Sequence, residues 1–152
     1  MPRKLGFLLS NILVLIGLIV AVSSLGLSTL PKRSMHIGKN ELRVQVAQNP
    51  VSQTEGLSGR RSLPENEGMA FRFATQDNYW FWMKGMLFPL DFIWVAHGSV
   101  VGTTPSVPAP APNTLDANLF TIKPPVPIDT VIEVNAGWVA AHSVVVGDRV
   151  SW

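Results

Sequence analysis

The sequence predicts a mainly β domain, a small β-barrel or folded antiparallel sheet with one or two short helices, preceded by an N-terminal transmembrane helix or signal segment. Three observations carry this expectation. Short segments rich in aromatic and β-branched residues recur between Gly, Pro, Asp and Asn, the pattern of strands and turns. Helix-start signals lead into only one or two turns. No charged residue occurs between Leu5 and Pro31. The domain plan is an anchor or signal segment over 1–33, a linker over 34–40 and a mainly β domain over 41–152.

The apolar run LGFLLSNILVLIGLIVAVSSLGLSTL is long enough for a bilayer, which takes about 20 residues. Arg3 and Lys4 before it favour a cytoplasmic N-terminus. Ile12–Val22 also has the length of a signal-peptide core, and Ala21-Val22-Ser23 resembles a small-residue cleavage site. An uncleaved anchor and a cleaved signal both place the rest of the chain on the extracytoplasmic side, by single-pass attachment or by export.

Taken in order, Leu42, Val44 and Val46 alternate with Arg43, Gln45 and Ala47 as in a half-buried strand. Asn49-Pro50 reads as a helix start, Asn as N-cap and Pro at the first helical position. Gly56 and Gly59 end that helix. Gly68–Phe73, Tyr79–Lys84 and Asp91–Ala96 read as three strands. Alternation places Trp80, Trp82 and Lys84 on one face of the second, and Tyr79, Phe81 and Met83 on the other. Both faces are apolar, so this strand is expected at the centre of the sheet. His97-Gly98 turns the chain into a hairpin with Ser99–Thr103. The proline-rich PSVPAPAPNTLDA is an extended loop. Thr130–Val134 is a further strand, Asn135 is positioned to cap a short helix through Gly137–His142, and Arg149–Trp152 closes the chain.

Composition excludes several functions. There is no cysteine, hence no disulfide, thiolate metal site or cysteine nucleophile. Arg3, Lys4, Lys32 and Arg33 flank the apolar run, and without them eight basic residues face ten acidic ones. Phosphate recognition needs clustered Lys and Arg, so no nucleic-acid partner is expected. No G-x-S-x-G, H-E-x-x-H or phosphate-loop motif names a reaction, and no cofactor is implied.

The segments GLSGR (56–60), GMAFRF (68–73), FWMKGMLFPLDFIWV (81–95), IEVNAGW (132–138) and VGDRV (146–150) occur in this order. Together they resemble the bacterial and archaeal family catalogued as domain of unknown function 192, over about Glu41 to Trp152. The resemblance implies a compact, mainly β domain, frequently behind a signal or anchor, and supplies no reaction. The family often carries Asn after the Met-Lys pair, where this chain has Gly85.

The stretch 68–96 holds nine of the thirteen aromatic residues but only Arg72, Asp77, Lys84 and Asp91 as charges. Lys84 ends one apolar segment and Asp91 begins the next. The two are expected to meet at one mouth of the barrel, within reach of Arg60 or Glu55. There they form either a structural ion pair or a site for a small polar ligand or envelope component, with Trp80 and Trp82 as a stacking platform. Two alternatives stand beside this binding domain. Asp91 and Glu133 could serve as the paired carboxylates of a cell-envelope carbohydrate hydrolase. Met69, Met83 and Met86, with His97 or His142, could offer soft ligands to Cu(I).

Overall fold

A computed structural model describes residues 30–152, and the apolar segment read as anchor or signal lies outside them. Among the described residues no helix is long and apolar enough to cross a membrane. The chain forms β1 (Lys32–Ile37), β2 (Asn40–Ala47), α1 (Pro50–Glu55), β3 (Glu67–Asp77), β4 (Leu90–Ala96) and β5 (Ser99–Val107). A single 3-10 turn (Asp116–Asn118), β6 (Ile128–Asn135), α2 (Trp138–Ala141) and β7 (Val150–Ser151) follow. The folded unit spans Pro31–Trp152. Residues 34–40, expected as linker, are therefore most of β1 and its turn. Met35 and Ile37 alternate inward there, a strand signal masked by the neighbouring Lys32, Arg33 and Lys39.

The seven strands make one curled half-barrel in the order β5-β4-β6-β3-β2-β1-β7. Its two ends approach each other through Gly98–Val100 and Gly147–Val150. Val100 N donates to Asp148 O at 2.9 Å, Gly147 N to Val100 O at 2.9 Å and Val150 N to Gly98 O at 2.9 Å. Both hairpins turn in two residues. In the β4–β5 turn His97 and Gly98 have φ of 51° and 68°, the left-handed pair that a type I′ turn requires. All pairs are antiparallel except β2–β3. That parallel pair needs a crossover, which α1 supplies. Asn49 caps α1 through a capping box with Ser52, and Pro50 stands in its first turn, as the Asn-Pro signal predicts.

One face of the sheet carries the main core. Ile37, Leu42, Val44, Ile93, Val95, Ile132 and Val134 are buried there with Met35 and Ala70, under Trp138, Val139 and Val144. The other face presents Met69, Phe71, Phe92, Trp94 and Glu133, as the pairings Met69↔Glu133↔Phe92 and Phe71↔Val131↔Trp94 require.

Two further expectations need correction. Tyr79–Lys84 is not a strand of the sheet. β6 lies between β4 and β3, and residues 79–84 cross the second face with one isolated bridge, Phe81↔Ile122. Their side chains do alternate as expected. Met83 is buried and Tyr79 and Phe81 half-buried, while Trp80 is 64% and Trp82 58% exposed. The period tells which side chains share a face, but a central strand and a strap over a sheet have the same period. The second correction concerns Asn135, which does not cap α2. The cap is Gly137 in a left-handed conformation, and Asn135 Nδ2 donates instead to Leu63 O at 2.9 Å and Pro64 O at 3.1 Å.

Candidate functional site

The 79–86 segment and α1 together wall a cleft of about 340 Å³ on the second face of the sheet. Phe81 holds the segment down. Its ring meets Phe71 at 5.4 Å, Trp94 at 5.8 Å and Phe92 at 5.9 Å, all close to edge-on, the arrangement aromatic quadrupoles favour. Phe73 and Tyr79 stack beside it at 3.7 Å. The loop after α1 is tied to the same segment, because Gly59 N donates to Gly85 O at 2.8 Å. Gly85 has a φ of 68°, and a Cβ there would collide with Ser58 Oγ. Ser58 thus occupies the space that a side chain at position 85 would enter.

Gln53, Thr54 and Glu55 of α1, Ser58, Trp80, Trp82, Lys84 and Glu133 line the cleft. Glu133 contributes its floor. It is 5% exposed, paired across the sheet with Met69 and Phe92. Burial pushes its carboxyl up from 4.5 to about 8, although the Arg60 guanidinium opposes that rise. Desolvation of the charged form outweighs the attraction, so Glu133 is largely protonated at neutral pH. Arg60 is half-buried, and burial lowers its own pKa against the pull of Glu67 and Glu133. Glu67 is in turn bonded to Lys32 Nζ at 2.6 Å. Alternating charge therefore runs from Lys32 on β1 through Glu67 to Arg60, beside the neutral cleft floor.

The expected Lys84–Asp91 pair is not formed. Lys84 Nζ bonds Asp116, both side chains being more than half exposed. Asp91 is completely buried and takes backbone donors: Ser106 N at 2.7 Å and Gly137 N at 3.1 Å on Oδ1, and Val139 N at 2.9 Å on Oδ2. It fastens the end of β5 and the start of α2 to β4. The link between Lys84 and Asp91 is short, but the strap crosses the second face of the sheet while Asp91 projects from the opposite face.

The paired-carboxylate reading fails on register. Asp91 pairs with Val134 and Phe92 with Glu133. Facing residues on neighbouring strands share a face, and successive residues alternate. Asp91 and Glu133 therefore project from opposite faces of the sheet and cannot flank one glycosidic bond. The histidines do not join the methionine set. His97 sits in the β4–β5 turn, and His142 stacks on Trp138 at 4.0 Å. Among the described residues no three Asp, Glu or His side chains come together as a metal site.

Of the site residues expected from the sequence, Glu55, Trp80, Trp82 and Lys84 line the cleft, Arg60 acts on its floor through Glu133, and Asp91 lies elsewhere. Glu133 itself was expected only as a partner of Asp91. The signal for its true place is a carboxylate inside the apolar run TVIEV, whose neighbours bury it.

Fold and cleft define a small β half-barrel with an aromatic strap over the second face of its sheet. The chain belongs to the family DUF192, described as Uncharacterized ACR, COG1430, whose model matches residues 33–152. Two solved structures are similar. A Sinorhizobium meliloti 1021 protein, provisionally described as a transcription regulator, is 27% identical with a TM-score of 0.71, over 80% of this chain and 94% of that one. A Novosphingobium aromaticivorans DSM 12444 protein of unknown function is 26% identical with a TM-score of 0.73, over 84% and 89% respectively. No curated protein matches.

Proposed function

We propose that this protein is a membrane-tethered, extracytoplasmic binding or accessory domain, and that the cleft between α1 and the 79–86 strap holds a small polar ligand or envelope component. The observation that carries the reading is a carboxyl group buried at the floor of a cleft whose rim bears two exposed tryptophans. Glu is seldom buried and large aromatic groups gain stability from burial. A sequence shaped by folding alone would favour an apolar residue at 133 and polar residues at 80 and 82. Clefts that combine aromatic walls with a few polar groups are the usual form of small-molecule sites. The uncharged run from Leu5 to Leu30 behind Arg3 and Lys4 supports the location.

The regulator description of the Sinorhizobium meliloti relative finds no support in this chain. Without Arg3 and Lys4, ten basic residues face ten acidic ones, whereas duplex binding needs clustered positive charge.

A thermal-shift screen of the detergent-solubilised full chain against polar metabolites and envelope fragments tests the proposal. A ligand at about 100 times its Kd stabilises by about 2.7 kcal/mol, a readable rise in Tm. That rise should shrink by about half in Trp82→Ala, as tenfold weaker binding requires. A screen in which nothing stabilises the protein, or in which stabilisation is indifferent to cleft substitutions, would remove the cleft from consideration.

A further inference from the structure

Resting on the binding reading above, we propose that the ligand class of the cleft is an uncharged carbohydrate: a single pyranoside ring stacked on Trp80 and Trp82, with hydroxyls bonded by Glu133 and the polar residues of α1. Three features of the cleft lead there.

The first is the state of the indoles. Both tryptophans stand at the rim with more than half their surface in water, while the strap beneath them is pinned by Phe81. Lys123 Nζ lies 4.3 Å from the Trp80 ring centroid, yet Lys123 does not line the cleft. The ammonium steadies the indole by a cation–π contact. A planar apolar surface beside hydrogen-bonding groups matches a sugar ring, which is apolar on its C–H face and polar at its edge.

The second is charge. A ligand anion entering the cleft meets the Glu55 carboxylate, and the Lys84 ammonium is already bonded to Asp116. A ligand cation finds Glu133 largely neutral at physiological pH, with Arg60 behind it and Lys123 over Trp80. An uncharged ligand avoids both conflicts. Protonated Glu133 suits it well, since it offers an O–H donor and a carbonyl acceptor to neighbouring hydroxyls.

The third is size and polar equipment. About 340 Å³ is at the small end of ligand sites, room for a ring rather than a chain. Gln53 Nε2 donates to Arg72 O at 2.8 Å and Thr54 Oγ1 to Pro50 O at 2.8 Å. Their oxygens remain as acceptors for hydroxyl donors, which sugars carry in number and simple anions lack.

The test follows the indole N–H resonances of the five tryptophans in the full chain, held in a detergent without a sugar headgroup and assigned by single Trp→Phe substitutions. Methyl glucoside, methyl galactoside and the methyl glycoside of N-acetylglucosamine are titrated against glucuronate and glucosamine. At least one neutral glycoside should shift Trp80 and Trp82 saturably and leave buried Trp94 and Trp138 in place. Trp80→Ala and Trp82→Ala should each weaken that binding by about tenfold without lowering Tm. Glu133→Gln, which keeps a neutral donor and acceptor, should bind within about twofold of wild type, and Glu133→Leu should not bind. Tighter binding of glucuronate or glucosamine, loss of binding in Glu133→Gln, or no response to any of the five probes would overturn the carbohydrate assignment. In the last case, a non-sugar compound shifting the same two indoles would leave the binding cleft standing, and none doing so would remove both.

Discussion

Glu133 offers the sharpest test of the physical account of the cleft. Its carboxyl is raised by burial from 4.5 in an open environment to about 8 in the fold. The folded state therefore holds a proton that the unfolded chain has released at any pH between those values. Stability contributed by this group is fully present below about pH 4.5 and is lost as pH rises toward about 8. One pH unit is worth about 1.4 kcal/mol, so the interval from 4.5 to about 8 caps the loss near 5 kcal/mol. Glu133→Gln has nearly the same shape and never ionises. Urea unfolding of the folded unit Pro31–Trp152, read by tryptophan fluorescence from about pH 5 to about pH 9, compares the two. Other titrating groups cancel in the difference. The variant should gain on wild type by about 1.4 kcal/mol per pH unit through the middle of that range and level off above about 8. A difference that stays flat would show that Glu133 does not change its protonation on folding. A variant that loses ground as pH rises would mean that Arg60 holds Glu133 as a carboxylate, and the description of the cleft floor would be wrong.

Three further predictions concern packing and topology. Asp91→Ala leaves three backbone donors without their charged acceptor and should cost about 3–5 kcal/mol, whereas Lys84→Ala, which loses only an exposed pair with Asp116, should cost under about 1 kcal/mol. Equal losses in urea unfolding would revive a coupled pair. Gly85→Ala should cost about 1–3 kcal/mol from its positive φ and the collision with Ser58 Oγ. Adding Ser58→Ala should return the steric part, and a strictly additive double mutant would show that the two positions do not share that space. For topology, protease added to spheroplasts should digest the domain while the mature protein still begins near Met1. A mature N-terminus at Ser24 would replace the anchor by a cleaved signal, and full protection would refute both.

How much was legible in the sequence depends on the range of the interaction behind each feature. Local features could be read directly. The strands at Leu42–Ala47, Gly68–Phe73, Asp91–Ala96 and Thr130–Val134 follow from side-chain period. The α1 start follows from Asn49-Pro50, and the β4–β5 turn from His97-Gly98, because caps and turns are settled within three or four residues. The mainly β class and the family were legible for the same reason, and so were the aromatic composition of the site and four of its lining residues.

What only the tertiary structure decided is which element lies against which. The apolar segment 79–84 has the pattern of a central strand, yet β6 takes that place and the segment becomes a strap, since pairing between strands remote in sequence leaves no mark on local period. Lys84 and Asp91 were read as one site from nearness in sequence, but each is satisfied by groups remote from both, Asp116 for one and the amides of Ser106, Gly137 and Val139 for the other. Register separated Asp91 from Glu133, because a side chain's face depends on its strand partner. Residue types and their alternation are properties of the chain. The depth at which Glu133 is buried, and hence its protonation, is a property of the neighbours that folding brings to it.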